Sequence, residues 1–257
     1  MKILLALICL STSVYCLSQT NKKYYLEIGG GTALSFSTTA GLSNFHDHYR
    51  FGGVGSLTLG KVITNSNFHV FTSFSLVEHS LNNRIDQFWV TVPDQIGLIT
   101  EAFYTNKFAL GIGSKFFEKG RNTMVINISG AYEWGVDHSY QHYNNREILN
   151  ETYYNEEIGS DVKILIKVSR TEFRDHNWSI NTDVGYFYQL SDNLQFGFKV
   201  GGYFGLKKMV VNQIRYGFST TGAPPNLSNE LYTTNKGDGV FATLSLRYNF
   251  NLGNNNS

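Results

Sequence analysis

The chain has 257 residues, of which 16% are charged and 15% are aromatic. Charged residues make up about a quarter of an ordinary soluble protein, so this composition argues against a soluble globular domain. The net charge of +1 gives no electrostatic reason to expect nucleic acid as a partner.

The first residues, MKILLALICLSTSVYCLSQT, have the anatomy of a secretory signal peptide. A positive charge at Lys2 precedes a short apolar run, and small and polar residues follow it. We predict a signal peptide over residues 1–18, cleavage around Ser18–Gln19, and one barrel domain over 19–257. Cys9 and Cys16 both lie in the signal peptide, so the mature chain is expected to have no disulfide and no cysteine-ligated metal.

Beyond the signal peptide, large apolar residues recur at every second position. In one segment Leu194, Phe196 and Phe198 alternate with Gln195 and Gly197. Alternate side chains of a strand point to opposite faces, so the pattern predicts strands with one apolar face. Eight such segments are found, at 24–36, 51–59, 68–76, 108–116, 124–134, 178–188, 194–206 and 240–250.

Short and long connections alternate between these segments. The short ones are 64–67, 118–122 and 190–193, and the long ones are 37–48, 81–106, 138–176 and 207–237. This layout predicts an all-β fold, an antiparallel up-and-down transmembrane β-barrel with short periplasmic turns and long extracellular loops.

The number of strands is open between eight and ten. Residues 95–104 and 161–170 also have the composition of strands. They fit either extensions of barrel strands beyond the membrane or an additional transmembrane pair, and the second arrangement would put one long loop on the short-turn side.

The apolar face is expected to point outward into lipid. An eight-stranded barrel has room inside for only a small filling of side chains, so large residues on every strand would overpack it. The opposite face carries glycine, serine and about one charge per strand, which is too few charges for a water-exposed surface.

The inward face is expected to carry a balanced set of ionisable groups. Such groups must pair when they are buried in a narrow lumen, so we predict a polar plug rather than an ion path. Glu27 and Arg247 are the predicted central pair, because the first and last strands close the barrel. The whole predicted lumen network is Glu27, Arg50, His69, Lys115, Glu133, Asp183, Lys199 and Arg247.

No catalytic, cofactor-binding or metal site is predicted. The histidine pairs His46/His48 and His138/His142 fall in predicted loops and lack a third ligand at a defined spacing. The glycine runs, such as 29–31, precede no helix that could bind phosphate, and in a curved barrel they allow strand bending and close approach.

Several stretches resemble the small outer-membrane β-barrel family of Bacteroidetes-type bacteria, the PorT-like group. They are KYYLEIGGGTALSF, FALGIGSKFFEKGRNTMVINISGAYEWG, VGYFYQLSDNLQFGFKVGGYFGL and GVFATLSLRYNF. The last is similar to the aromatic-ended signal that the barrel assembly machinery reads, which would involve Leu246, Tyr248 and Phe250. The resemblance implies a fold and an outer-membrane location, and it carries over no catalytic residues.

The sequence therefore predicts an exported outer-membrane barrel with a plugged lumen. Its expected partners are outer-membrane lipid, the barrel assembly machinery and other envelope proteins bound through the extracellular loops. Its expected role is structural, binding, or accessory to secretion or assembly. A small-solute channel and a lipid-modifying enzyme are the alternatives.

Overall fold

The computed structural model describes residues 23–40, 45–47, 51–63, 66–85, 99–135, 146–155, 159–220, 224–227 and 229–251. Within these ranges, no helix has both the length and the apolar character needed to cross a membrane. The predicted signal peptide lies outside them. The strands are β1 (Lys23–Ala40), β2 (Phe45–Asp47), β3 (Phe51–Val62), β4 (Phe68–Ile85), β5 (Ile99–Lys119), β6 (Asn122–Gly135), β7 (Arg146–Asn155), β8 (Ser160–Phe173), β9 (His176–Gln189), β10 (Leu194–Gly205), β11 (Val210–Ser219) and β12 (Asn229–Asn251).

Eight of these strands close into an antiparallel barrel. Each hydrogen-bonds with the next in the order β1, β3, β4, β5, β6, β9, β10 and β12, and β12 pairs with β1 to complete the ring. In this closing pair Glu27 lies opposite Arg247, and Ile28 lies opposite Leu246. The prediction of an eight-stranded up-and-down barrel is confirmed.

The three short connections lie at one end of the barrel, which we call the turn end. The link from β5 to β6 turns through Gly120, whose φ of 60° suits glycine, and Arg121. The N–H of Ile63 donates to the carbonyl of Phe68 at 2.9 Å across the β3–β4 turn. β1 begins and β12 ends at the turn end. Because neighbouring strands are antiparallel, the long connections lie at the opposite end, which we call the loop end.

Strands continue past the barrel rim at the loop end. β10 and β11 both pair antiparallel with β12, so they run in the same direction. On the other side, β10 pairs with β9 and β11 pairs with β8. β8 therefore extends the line of β9, and β11 extends the line of β10. Residues 161–170 and the Ile99–Tyr104 part of β5 are thus strand extensions. The ten-strand alternative is wrong. All four predicted long loops, 37–48, 81–106, 138–176 and 207–237, consist partly of strand.

The apolar faces of the barrel strands point outward. Phe196, Phe198 and Leu244 are 43%, 45% and 55% exposed, whereas Ser245, next to Leu244, is buried. This confirms the predicted orientation. Other large residues exposed on the outside are Leu26, Ile28, Leu57, Phe74, Leu110, Ile112, Ile126, Ile128, Ile180, Val184, Val200 and Leu246.

The height of this apolar belt matches that of a membrane-spanning surface. On β9 its outward residues run from Trp178 to Tyr188, ten residue steps. At about 3.3 Å per step and a strand tilt near 40°, the belt is about 25 Å tall, which is the height of the apolar band on outer-membrane barrels.

Leu244→Arg tests whether the belt meets hydrocarbon. We expect it to lower the free energy of unfolding from lipid vesicles by about 2–4 kcal/mol, the cost of an arginine at the middle of a membrane. The measurement is a urea titration of vesicle-embedded protein followed by tryptophan fluorescence.

Tyr154→Arg is the control, since Tyr154 is 61% exposed on β7, beyond the belt. It should change the free energy of unfolding by about 0.5 kcal/mol or less. Equal losses in the two variants would contradict a lipid-facing belt.

Candidate functional site

The interior of the barrel is filled by two clusters of buried side chains, and the turn-side cluster centres on Glu27. The Nε and Nη2 atoms of Arg247 both donate to Glu27 Oε2, at 2.9 and 2.8 Å, and Lys199 Nζ pairs with the other carboxylate oxygen. Glu27 is only 2% exposed. One carboxylate from the first strand thus pairs with two cations from the last two barrel strands. Asp183, which lies close to both cations, supplies the second negative charge of the cluster.

Two aromatic rings enclose the Arg247 guanidinium. Its Cζ atom lies 3.7 Å from the centre of the Phe187 ring and 4.3 Å from the centre of the Tyr25 ring. Such cation–π contacts strengthen when water is excluded, and both rings are buried. Gly197 and Gly60 make room for them, because a Cβ atom at either position would overlap the ring of Phe187 or Tyr25.

A hydrogen-bonded chain of three side chains completes the turn-side cluster. His69 Nε2 lies 2.8 Å from Asn127 Oδ1, and Asn127 Nδ2 donates to Asp183 Oδ1 at 2.6 Å. The His69 ring also meets the edge of Tyr25. The chain runs along the inner wall of the barrel from β4 to β6 and β9, because His69, Gly113, Asn127 and Asp183 lie side by side on consecutive strands.

The loop-side cluster contains a second buried ion pair. Lys107 Nζ lies 2.7 Å from Glu133 Oε1, and these side chains are 4% and 0% exposed. The same ammonium group sits 3.8 Å from the centre of the Tyr203 ring. The two charges are therefore balanced within the lumen rather than by solvent.

His79 anchors the rest of the loop-side cluster. Its Nδ1 lies 3.0 Å from Ser35 Oγ and its Nε2 lies 2.9 Å from Thr105 Oγ1, and its ring stacks on Phe103. The Ser35–His79 geometry resembles a nucleophile and a base. However, the orienting partner is a hydroxyl instead of a carboxylate, and Ser35 and His79 are buried. The arrangement therefore fits a structural hydrogen-bond network.

A cavity of about 90 Å³, lined by both polar and apolar side chains, separates the two clusters. A cavity of this size has room for several waters. The charged residues at its margins are Lys107, Lys199 and Asp183, which belong to the clusters already described. The hydroxyl and amide groups that line it belong to Ser56, Thr58, Ser73, Ser75, Ser129, Asn181 and Thr243.

Above the loop-side cluster, the inward face of the extended strands becomes apolar. Ile164 and Ile166 on β8, Ile214 on β11 and Leu231 on β12 are all fully buried. Ile214 lies opposite both Val168 and Leu231 across the sheet. These residues form an apolar cap beyond the polar interior.

The structure brings together five residues of the predicted lumen network at the turn side: Glu27, His69, Asp183, Lys199 and Arg247. Glu133 belongs instead to the loop-side cluster. Lys115 does not join either cluster, because it lies half-buried beside the β5–β6 turn and pairs with Glu118 at 3.5 Å. Arg50 lies outside the described residues.

Sequence reasoning missed Lys107, His79, Phe187 and Tyr203. The expected lumen held small residues and ions, whereas the observed one also holds aromatic rings. The sequence did contain a signal for them, since each missed residue occupies one of the alternate positions that face inward on its strand. The inward glycines beside them indicated where rings would need space.

The other sequence-based predictions concern the last strand and the histidines. Leu246 and Tyr248 are each 50% exposed, and Phe250 stacks between Tyr24 and Tyr248. The assembly role of Leu246, Tyr248 and Phe250 stays a prediction. In the described part of the chain, no group of three or more metal-ligating residues could hold a metal ion. His46 is in β2, while His48, His138 and His142 lie outside the described residues.

Solved barrel structures align with nearly the whole chain. OprG, an outer membrane protein of Pseudomonas aeruginosa, is 9% identical, with 90% of this chain and 97% of OprG covered and a TM-score of 0.52. This chain has the fold of an outer-membrane barrel. Neisserial surface protein A is 8% identical, with 89% and 97% covered and a TM-score of 0.42. Ail, the attachment invasion locus protein of Yersinia pestis, is 9% identical, with 90% and 100% covered and a TM-score of 0.38.

These identities are too low to carry function from one barrel to another, so the likeness to OprG concerns the fold. No family model matches the sequence, and no curated protein sequence matches it either. Membership of the PorT-like group stays a prediction.

Glu27→Gln tests the importance of the turn-side cluster. The substitution removes the carboxylate that pairs directly with both Arg247 and Lys199, which stay buried. We therefore expect a loss of about 3–5 kcal/mol in the free energy of unfolding. The loss would be measured by urea titration in vesicles.

Glu230→Gln serves as the matched control. Glu230 is exposed at the loop end, where it pairs with Arg215 at 2.7 Å. Removing this surface pair should cost about 1 kcal/mol or less. If the two substitutions cost the same, the interior ion pairs do not stabilise the barrel as described.

Proposed function

We propose that this protein is an integral outer-membrane barrel whose lumen is plugged by side chains and whose specific role is carried by its loop end. The observation that carries the proposal is the pair of buried, charge-balanced clusters inside a barrel with an apolar exterior. A barrel built in this way is suited to anchoring and presenting a surface rather than to conducting solutes.

The apolar belt supports the membrane location. Its edges carry amphipathic rings, as membrane interfaces do, with Trp178 toward the loop end and Tyr188 and Tyr248 toward the turn end. The predicted signal peptide agrees with export, and the likeness to OprG agrees with the same architecture. The loop end would then face the outside of the cell, since short turns lie on the periplasmic side of such barrels.

The two interior clusters favour a plug over a small-solute channel. Arg247 between its two rings blocks the turn side, and Lys107 against Tyr203 blocks the loop side. The cavity between them has a volume of about 90 Å³. A solute would have to separate both buried ion pairs to pass, at a cost of several kcal/mol for each one broken.

The loop end offers a surface suited to binding. On its outward face an ordered row of charges runs across four strands, from Glu147 to Lys167, Arg215 and Glu230, with ion pairs of 2.8 and 2.7 Å at its ends. A hydrogen bond from Gln213, together with the charge of Arg215, lowers the pKa of Glu230. This charge remains in place at mildly acid pH.

Exposed tyrosines also occur at the loop end: Tyr232, 43% exposed, lies beside Glu230, and Tyr154, 61% exposed, lies toward the far end of β7. Tyrosine combines a large contact area with a polar group, and it is common in recognition surfaces. We therefore assign binding, adhesion or support of an envelope complex to this end. Other envelope proteins are the proposed partners.

Conductance across a planar lipid bilayer tests the plug. We expect the wild-type protein to give no steady current, because both clusters obstruct the lumen. The double variant Phe187→Ala/Tyr203→Ala removes one ring from each cluster and should give measurable unitary currents.

The control is Phe196→Ala/Phe198→Ala, which removes two rings from the outward face of β10 and should leave the barrel closed. Insertion of each variant would be verified by its heat-dependent mobility on a gel. A steady unitary current from the wild-type barrel would support the small-solute channel and refute the plug.

A further inference from the structure

Three neighbouring barrel strands are irregular at the same height at the loop end. The breaks fall at 174–175 between β8 and β9, at 206–209 between β10 and β11, and at Gly237 in β12, whose φ is 75°. The N–H of Arg174 donates to the carbonyl of Met209, and the N–H of Met209 donates to the carbonyl of Asn235, at 2.8 and 2.7 Å. These hydrogen bonds place the three breaks side by side.

Four exposed cations lie along this line of breaks: Arg174, Lys207, Lys208 and Lys236. In the ranges that the structure describes, no carboxylate forms an ion pair with any of them. Two other loop-end cations, by contrast, are paired: Lys167 contacts Glu147 and Arg215 contacts Glu230. We call these four residues the basic ledge.

The nearby acids do not neutralise the basic ledge. Asp238 is turned toward the backbone, where its Oδ1 accepts a hydrogen bond from the N–H of Gly205 at 2.6 Å. Asp175 is exposed beside Arg174. Glu172 is also exposed, two residues before Arg174. Two exposed carboxylates beside four cations still leave a net positive surface.

The basic ledge adjoins the edge of the apolar belt. Immediately toward the turn end lie Trp178, Phe204 and Leu206, which are 54%, 52% and 62% exposed. The N–H of Leu206 donates to the carbonyl of Trp178, so these side chains are neighbours. Apolar residues here would meet acyl chains, and the cations directly above them would lie at the height of lipid head groups.

We propose that the basic ledge binds the phosphate groups of a phosphorylated glycolipid in the outer leaflet, with the acyl chains lying along Trp178, Phe204 and Leu206. Charge complementarity and the adjoining apolar surface identify this occupant, because a free anion would make no use of the apolar part. The inference rests on the proposed function, which places the loop end at the outer leaflet.

The test is a titration of the detergent-solubilised full-length protein with lipid A carrying two phosphates, read by native mass spectrometry. Dephosphorylated lipid A is titrated in parallel. The wild-type protein should bind the phosphorylated form at least tenfold more tightly. The triple variant Arg174→Gln/Lys207→Gln/Lys208→Gln should lose roughly fivefold in affinity for each cation removed, or about 100-fold in all.

The control is the triple variant Lys115→Gln/Lys119→Gln/Arg121→Gln, which removes three cations from the turn end. Its affinity should stay within about twofold of the wild type. The proposal is overturned if the control loses as much as the ledge variant, or if wild-type protein binds the dephosphorylated lipid equally well.

Folding is checked by heat-dependent mobility on a gel. If the triple ledge variant does not fold, the double variant Lys207→Gln/Lys208→Gln is used, with an expected loss of about 25-fold. Failure of this proposal can be distinguished from failure of the proposed function. A barrel that inserts and passes no current, but binds both lipids equally well, refutes only lipid binding by the basic ledge. A protein that fails to insert refutes the membrane location itself.

Discussion

Charge neutralisation inside a narrow lumen is the constraint on which the structure depends. An eight-stranded barrel encloses little more than its own side chains. An unpaired ion there would face a large desolvation cost, so Glu27 must be matched by Arg247 and Lys199, and Glu133 by Lys107. The pairs come from different strands, and each therefore fixes how those strands stand relative to one another. The apolar exterior can meet lipid only because the polar groups are satisfied within.

The interior aromatic rings and the glycines that face them determine how the lumen is filled. A lumen filled by ions alone would leave gaps, whereas Phe187, Tyr25 and Tyr203 occupy the volume between the charged groups. Each ring requires a facing position without a side chain. Glycine on the inward face is therefore a packing partner of the aromatic residues, in addition to allowing the strands to curve.

Much of the fold could be predicted from the sequence, because the two-residue period and the alternation of turn lengths are both local signals. The orientation of Phe196 and Leu244 followed from the limited volume of a small barrel. The Glu27–Arg247 contact was expected because the first and last strands must meet. Its partner Lys199 could be placed in the lumen, but its distance from Glu27 depends on the stagger between strands, which composition does not determine.

The other interior residues and the strand extensions could not be predicted from the alternation of apolar and polar residues alone. Lys107 and Phe187 follow the inward parity of their strands, yet nothing local distinguishes an interior cation from a rim cation such as Lys115. The extensions β8 and β11 fall in segments whose length suggested loops. For β8 the sequence left open whether residues 161–170 extend a barrel strand or form an additional one, and the pairing showed that β8 and β11 continue β9 and β10.

The seam between β1 and β12 governs how the chain can be built. Its central contact joins residues 220 positions apart, so the ring cannot shut until the C-terminal strand has been delivered. Contacts of such long sequence separation form slowly, and until then both edge strands present unpaired backbone groups. A chain lacking its final strand can therefore pair its other barrel strands but cannot close, and the open edges of β1 and β10 need to be shielded until β12 joins them.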